Sequence, residues 1–130
     1  MAQTIDQAKT GGFENVAVIG FGLIGASFAA ALRAANPSAQ VMAVDTDLAT
    51  RVEAVNRGWA TATAAPDAAE FRAFIEDGCD LVVLATPVSV VEGYLKDLAE
   101  WGYRGIDHRY RSDEKASIIE MAAHTLPYPQ

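Results

Sequence analysis

The chain has 130 residues, 51% of them apolar and 21% charged, which suits one folded domain with a hydrophobic core and is too apolar for a disordered segment. Ten Lys and Arg against 17 Asp and Glu leave a formal charge of −7, which argues against nucleic acid or an anionic membrane as a partner but not against an anion held by backbone amides. The single cysteine excludes an internal disulfide, no apolar run is long enough to span a bilayer, and the N-terminus lacks the basic-then-apolar pattern of a secretory signal, so a cytoplasmic setting is the expectation.

Residues 1–13 read as a polar tail, and residues 14–130 as one domain. Val16-Ala17-Val18-Ile19 is a continuous apolar run ending at Gly20, the pattern of a strand buried on both faces. Ile24, Phe28, Ala31, Leu32 and Ala35 then recur at helical spacing until Asn36-Pro37-Ser38 stops the helix. A second strand is predicted over Gln40–Val44, closed by Asp45-Thr46-Asp47. Leu48, Val52 and Val55 mark a second helix that ends by Gly58. Pro66-Asp67 with Glu70 predicts a helix start, Phe71, Phe74 and Ile75 its apolar face, and Gly78 its end.

Leu81-Val82-Val83-Leu84-Ala85 is the clearest buried strand, and Pro87 fits the first turn of the helix that follows. Val88, Val91, Leu95 and Leu98 are that helix's expected buried face, with Gly102 just past its end. A weaker strand is predicted over Tyr103–Ile106 and a last helix from about Asp113 to His124. Alternating strands and helices predict an α/β fold, a doubly wound and mainly parallel sheet with helices on both faces.

Gly20-Phe21-Gly22-Leu23-Ile24-Gly25 is a G-x-G-x-x-G pattern, and here it follows a buried strand and opens an Ala-rich helix. In that setting the first glycine allows the tight turn, the second lets the backbone approach a pyrophosphate, and the third lets the helix pack against the sheet. The helix N-terminus meets the phosphate charge with free N–H groups. Asp45, 20 residues after Gly25, is placed to accept hydrogen bonds from the adenosine ribose hydroxyls. A carboxylate there repels a 2′-phosphate, so NAD is expected over NADP, with Arg51 nearby as a moderating charge. These features predict a Rossmann-type dinucleotide site.

Ala85-Thr86-Pro87-Val88 lies on the same sheet edge as the glycine loop. Thr86 is a candidate cofactor contact and Pro87 a candidate wall; the same residues also read as a helix start and nothing more. Cys79 reads as a small apolar residue before a strand. His108 and His124 lack metal-ligand spacing to each other or to Cys79, so no metal is expected.

Val16 to Ser27 with its G-L-I-G-A-S loop, the Asp45 strand, Gly58 and Leu84-Ala85-Thr86-Pro87-Val88 together resemble the cofactor domain of the prephenate and arogenate dehydrogenases of tyrosine biosynthesis. Lys115-Ala116-Ser117-Ile118 and Thr125-Leu126-Pro127 fit the same family. The resemblance covers roughly residues 16–130. It implies NAD-dependent oxidative decarboxylation: a hydride passes from the ring carbon bearing the 4-hydroxyl to the nicotinamide, and loss of carbon dioxide aromatises the ring. It also implies a small-molecule substrate, prephenate or arogenate, and a homodimer for the full-length enzyme. The family's acid–base histidine and its helical dimerisation domain would follow residue 130, so the chain by itself is expected to be inactive.

One stretch departs from the family. Where the family has Thr-Asp-x-x-Ser-Thr-Lys, this chain has Asp107-His108-Arg109-Tyr110-Arg111-Ser112-Asp113-Glu114-Lys115. Lys115 matches directly; without a gap Asp113 and Glu114 replace the family's Ser and Thr, and with one extra residue admitted Ser112 corresponds to the family's serine, so Ser112 and Lys115 are the catalytic candidates. Two other readings stay open: a Rossmann oxidoreductase acting on a small keto acid or imine, and a regulatory domain that binds dinucleotide without chemistry.

Overall fold

The computed structural model describes residues 12–105 and 117–120. Five parallel strands form one sheet: β1 (Asn15–Ile19), β2 (Gln40–Val44), β3 (Ala62–Ala64), β4 (Leu81–Leu84) and β5 (Ser117–Glu120), in the spatial order β3-β2-β1-β4-β5. Four helices connect them: α1 (Leu23–Ala35), α2 (Leu48–Asn56), α3 (Ala69–Glu76) and α4 (Val88–Glu100). This is the Rossmann-type doubly wound arrangement expected from the sequence.

The central strands β1, β2 and β4 are largely apolar because both of their faces are covered. Val16, Val18, Val41, Ala43, Leu81 and Val83 pack toward Ala29 and Leu32 of α1 and Ala54 of α2. Their neighbours in sequence, Ala17, Ile19, Met42, Val44, Val82 and Leu84, pack toward Phe71 and Ile75 of α3 and Val91 and Leu98 of α4. The period-two alternation thus sorts one apolar run into two cores. Phe71 meets Trp101 edge-on at 5.1 Å, adding an aromatic contact to the second core.

Helix ends follow local chemistry. Arg33 closes α1 by donating from Nη1 to Pro37 O (2.7 Å) and Ala39 O (3.0 Å). Asp47 caps α2, accepting from Thr50 N at 2.9 Å and from Thr50 Oγ1 at 2.7 Å, and these hydrogen bonds hold its carboxyl below the usual range. Gly78 after α3 has a φ of +114°, a backbone that only glycine adopts without strain.

Several expectations need correction. The buried face of α1 is Gly25, Ala29 and Leu32 rather than the stripe through Ala31 and Ala35, which are exposed. Leu48, Val52 and Val55 form the expected helix, and they are 64%, 50% and 45% exposed while Ala54 is its buried residue. Val88 is likewise exposed, at the first residue of α4. Tyr103 does not begin a strand. Gly102 turns the chain at φ +78°, and the Tyr103 N–H donates back to Leu98 O at 2.9 Å, so Tyr103 is buried against the second core. The fifth strand is Ser117–Glu120, inside the stretch expected as the last helix. Two adjacent β-branched residues, Ile118 and Ile119, pair there with Val82 and Val83 of β4, and the ladder outweighs local helix preference. β3 was not foreseen, being three residues of Ala-Thr-Ala.

The chain builds β1, β2 and β3 outward in one direction and then places β4 on the other side of β1. The connections after β1 and β4 therefore leave the sheet toward opposite faces, and a crevice opens between them at the carboxyl edge.

Candidate functional site

The turn out of β1 is set by close backbone approach. The Gly20 N–H donates to Val44 O (2.8 Å), Gly20 takes a φ of +89°, and a Cβ there would lie 2.6 Å from Ala85 O and 2.8 Å from Thr86 Cγ2. A Cβ on Gly25 would run into Gly20 O. Both glycines are thus required by packing, as the sequence pattern implied. Gly22 is the N-cap of α1, in extended conformation and with no side chain to occupy the space above the helix end.

The two side chains named within the loop divide. Phe21 is buried, 3% exposed, in the core beneath α1, so its side chain anchors the loop, and its N–H donates to Asp45. Leu23 is 47% exposed at the first turn of α1, and Ile24 is half-buried.

Asp45 stands at the end of β2. Its Oδ2 accepts from Phe21 N at 2.8 Å and its Oδ1 from Asp47 N at 2.9 Å. Arg51 donates from Nη1 to the backbone oxygen of Asp45 at 2.6 Å. The guanidinium is therefore held at the main chain of Asp45.

Gly20, Gly22, Val44, Asp45, Thr46, Ala85, Thr86, Pro87 and Tyr94 line a cleft of about 270 Å³. The structure brings together the glycine loop, Asp45, Thr86 and Pro87, which lie on three separate connections. Thr86 Oγ1 is buried and has no hydrogen-bond partner. A buried hydroxyl without a partner is costly and marks a place where a ligand atom or an ordered water is required. This orphaned oxygen, the glycine turn and a carboxylate facing the same cleft fit a dinucleotide.

Tyr94 was missed from the sequence because it falls outside the apolar stripe of α4. Burial raises its phenol above the usual range, and the negative charges of Asp45 and Asp97 raise it further, so it stays a neutral hydroxyl beside the cleft. Tyr94 also lines a larger groove of about 710 Å³ between α3 and α4, whose polar residues are Asp67, Arg72 and Asp97. Arg72 there is bound to Glu76 at 2.9 Å. That groove carries no orphaned polar atom, so the smaller cleft at the strand ends is the stronger candidate.

Cys79 is buried as expected, with its thiol donating to Leu81 O at 3.2 Å. Among the described residues no group of His, Cys, Asp and Glu is arranged to hold a metal, and no helix is long and apolar enough to cross a membrane. Ser112, Lys115, His108 and His124 lie outside the described residues.

A family model for the GFO_IDH_MocA oxidoreductases, described as an oxidoreductase family with an NAD-binding Rossmann fold, matches residues 14–105. No curated protein sequence matches the chain at a significant level. Among solved structures, it is similar to the prephenate dehydrogenase of Aquifex aeolicus in complex with hydroxyphenyl propionate and NAD+. The TM-score is 0.66 and the identity 22%, over 82% of this chain and 32% of that one. It is also similar to a protein provisionally named an alcohol dehydrogenase from Thermotoga maritima, with a TM-score of 0.63 and 19% identity over 98% of this chain and 32% of that one. The chain spans about a third of the length of these structures, and at such identities the likeness is one of fold.

Proposed function

The chain belongs to the oxidoreductase family with an NAD-binding Rossmann fold, and from that premise we propose that it is the cofactor domain of a dehydrogenase acting on prephenate or arogenate. The observation that carries the cofactor half of this reading is the cleft itself. Gly20 and Gly22 leave room for a pyrophosphate at the start of α1, Asp45 faces the ribose position, and Thr86 offers an unpaired hydroxyl. The substrate half rests on the G-L-I-G-A-S loop and the Ala85-Thr86-Pro87-Val88 turn, which fit that family's pattern.

In this reading NAD, when bound, accepts the hydride. The chain's own residues bind and orient. The free N–H groups at the start of α1 meet the phosphate charge, Asp45 takes the ribose hydroxyls, and the Pro87 ring forms a wall of the cleft. Neutral Tyr94 adds an aromatic wall near Asp45. As the resemblance implies, a histidine of the family serves as the substrate's acid–base partner, and the family's helical second domain supplies the substrate's carboxylate contacts and the homodimer contact.

Calorimetric titration tests the cofactor half. NAD is expected to bind and NADP to bind more weakly, because the Asp45 carboxylate opposes a 2′-phosphate. Equal or tighter NADP binding overturns the assignment of Asp45. For the substrate half, a protein carrying this chain together with a second domain is expected to form NADH from NAD and prephenate or arogenate, and the 130-residue chain alone is expected to form none. Oxidation of an unrelated alcohol with neither acid accepted would favour the other dehydrogenase reading, to which the Thermotoga maritima neighbour belongs in fold.

A further inference from the structure

We propose that Asp45 is also a positioning residue for the glycine-rich loop: its carboxylate holds the Phe21 N–H and sets the loop before any cofactor arrives. The inference rests on the dinucleotide reading of the cleft. Asp45 is held at four points. Its own N–H donates to Ala64 O (3.2 Å), and its backbone oxygen accepts from Arg51 Nη1 (2.6 Å). Its Oδ1 accepts from Asp47 N (2.9 Å), and its Oδ2 accepts from Phe21 N across 24 residues of sequence (2.8 Å). The Phe21 side chain is buried in the core, so the residue between the first two glycines is held both through its N–H and through its side chain.

Nothing else in the described structure accepts the Phe21 N–H. Without Asp45 that amide must find water or a new backbone geometry, and the turn between Gly20 and Gly22 loses its tie to β2 and α2. The two roles of Asp45 do not compete. A carboxylate offers about four acceptor positions on two oxygens, and the backbone contacts use one on each. That leaves acceptor capacity on a residue that lines the cleft. A loop fixed in advance spares the ligand the cost of ordering it.

A role confined to the ribose and a role in setting the loop make opposite predictions for a ligand without ribose hydroxyls. The probe is 2′,3′-dideoxyadenosine diphosphate, titrated into the wild type and Asp45→Ala. If Asp45 only touches hydroxyls, removing its negative charge leaves the affinity for this anion unchanged or raises it. If Asp45 sets the loop, affinity falls by about fivefold to tenfold despite the lost charge. Hydrogen exchange of the ligand-free protein is the second readout. Phe21 amide protection should fall about tenfold or more in Asp45→Ala, with Val18 and Ala43 unchanged, and Asp45→Asn should restore part of it through its remaining carbonyl acceptor.

Both losses together support the proposal. An unchanged Phe21 amide, or a dideoxy ligand bound as well or better by Asp45→Ala, overturns it while leaving the dinucleotide reading intact. Absence of NAD binding to the wild type overturns the dinucleotide reading instead, and with it the claim that the loop is set for a cofactor.

Discussion

Asp80 and Asp45 use the same chemistry at opposite edges of one sheet. Asp80 accepts from the backbone N–H groups of Glu14 (3.0 Å) and Asn15 (3.1 Å), and Asp45 from those of Phe21 (2.8 Å) and Asp47 (2.9 Å). Around Asp80 the edge is closed: its own N–H donates to Asn15 O, Gln40 N to Glu14 O, and Arg33 Nη1 to Ala39 O. Around Asp45 the edge stays open, with a cleft of about 270 Å³ and the orphaned hydroxyl of Thr86. Two carboxylates with equal contacts thus differ in what lies beyond them. One finishes the fold, and the other finishes a wall and leaves acceptor capacity toward an opening.

The largest expected effect falls on the open edge. Gly22 lines the cleft and caps α1 with an extended backbone, φ −78° and ψ −157°, that other residues also adopt. Gly22→Val should therefore keep the fold while placing a branched side chain in the space proposed for the pyrophosphate. NAD affinity is expected to fall on the order of 100-fold or more with circular dichroism unchanged. A folded Gly22→Val protein that binds NAD normally would remove the cleft from consideration.

Matched substitutions of the two aspartates sharpen the comparison directly. Asp80→Ala should lower stability by about 1–2 kcal/mol, since two charge-assisted hydrogen bonds are lost at a partly exposed site, and should leave NAD affinity alone. Asp45→Ala should weaken NAD binding by about 1.5–3 kcal/mol through the lost charged hydrogen bonds, with a smaller loss for NADP. Denaturant midpoints and calorimetry on the same two variants give the answer. If each variant loses both stability and affinity equally, the division between a finished edge and an open one is wrong.

The same division explains what was legible in the sequence. Val16–Ile19, Val41–Val44 and Leu81–Leu84 were readable because strands covered on both faces must be continuously apolar. Gly20, Gly25 and Asp45 were readable because tight approach and a carboxylate at a strand end leave residue-type signatures. The tie from Asp45 to Phe21 was not, because an N–H acceptor 24 residues away has no local pattern. Tyr94 was hidden for a similar reason, since it reaches the cleft only once α4 is laid against the sheet. The exchange of helix for strand at Ser117–Glu120 came from pairing with β4, a non-local gain that local propensity does not contain.

Thr86→Val should move two measurements in opposite directions. Removing a buried hydroxyl that has no partner relieves its desolvation cost, so the ligand-free protein should gain about 1 kcal/mol. If that hydroxyl meets the cofactor, NAD affinity should fall about fivefold. A loss of stability would mean that the hydroxyl is already satisfied, and unchanged affinity would mean that the Ala85-Thr86-Pro87 turn only starts a helix.

The smallest effect belongs to the closed edge. Cys79 precedes β4 and is 6% exposed, and burial pushes its thiol from the ordinary 9.0 up to about 12, against the smaller opposing effect of backbone hydrogen bonding. Because the folded value is raised, the unfolded chain releases this proton first as pH rises. The stabilisation is complete below about pH 9 and declines through the window from there to about 12. At about pH 10 the loss should be roughly 1–2 kcal/mol. Cys79→Ala costs some packing at every pH, so the informative quantity is the slope: the variant's denaturation midpoint should fall less between about pH 8 and pH 10 than the wild type's. Alkylation gives an independent reading, since a thiol held neutral and buried should react only as fast as the chain opens. Rapid alkylation of the native protein at about pH 8, with no change on adding denaturant, would show that this edge is open too and would end the contrast with Asp45.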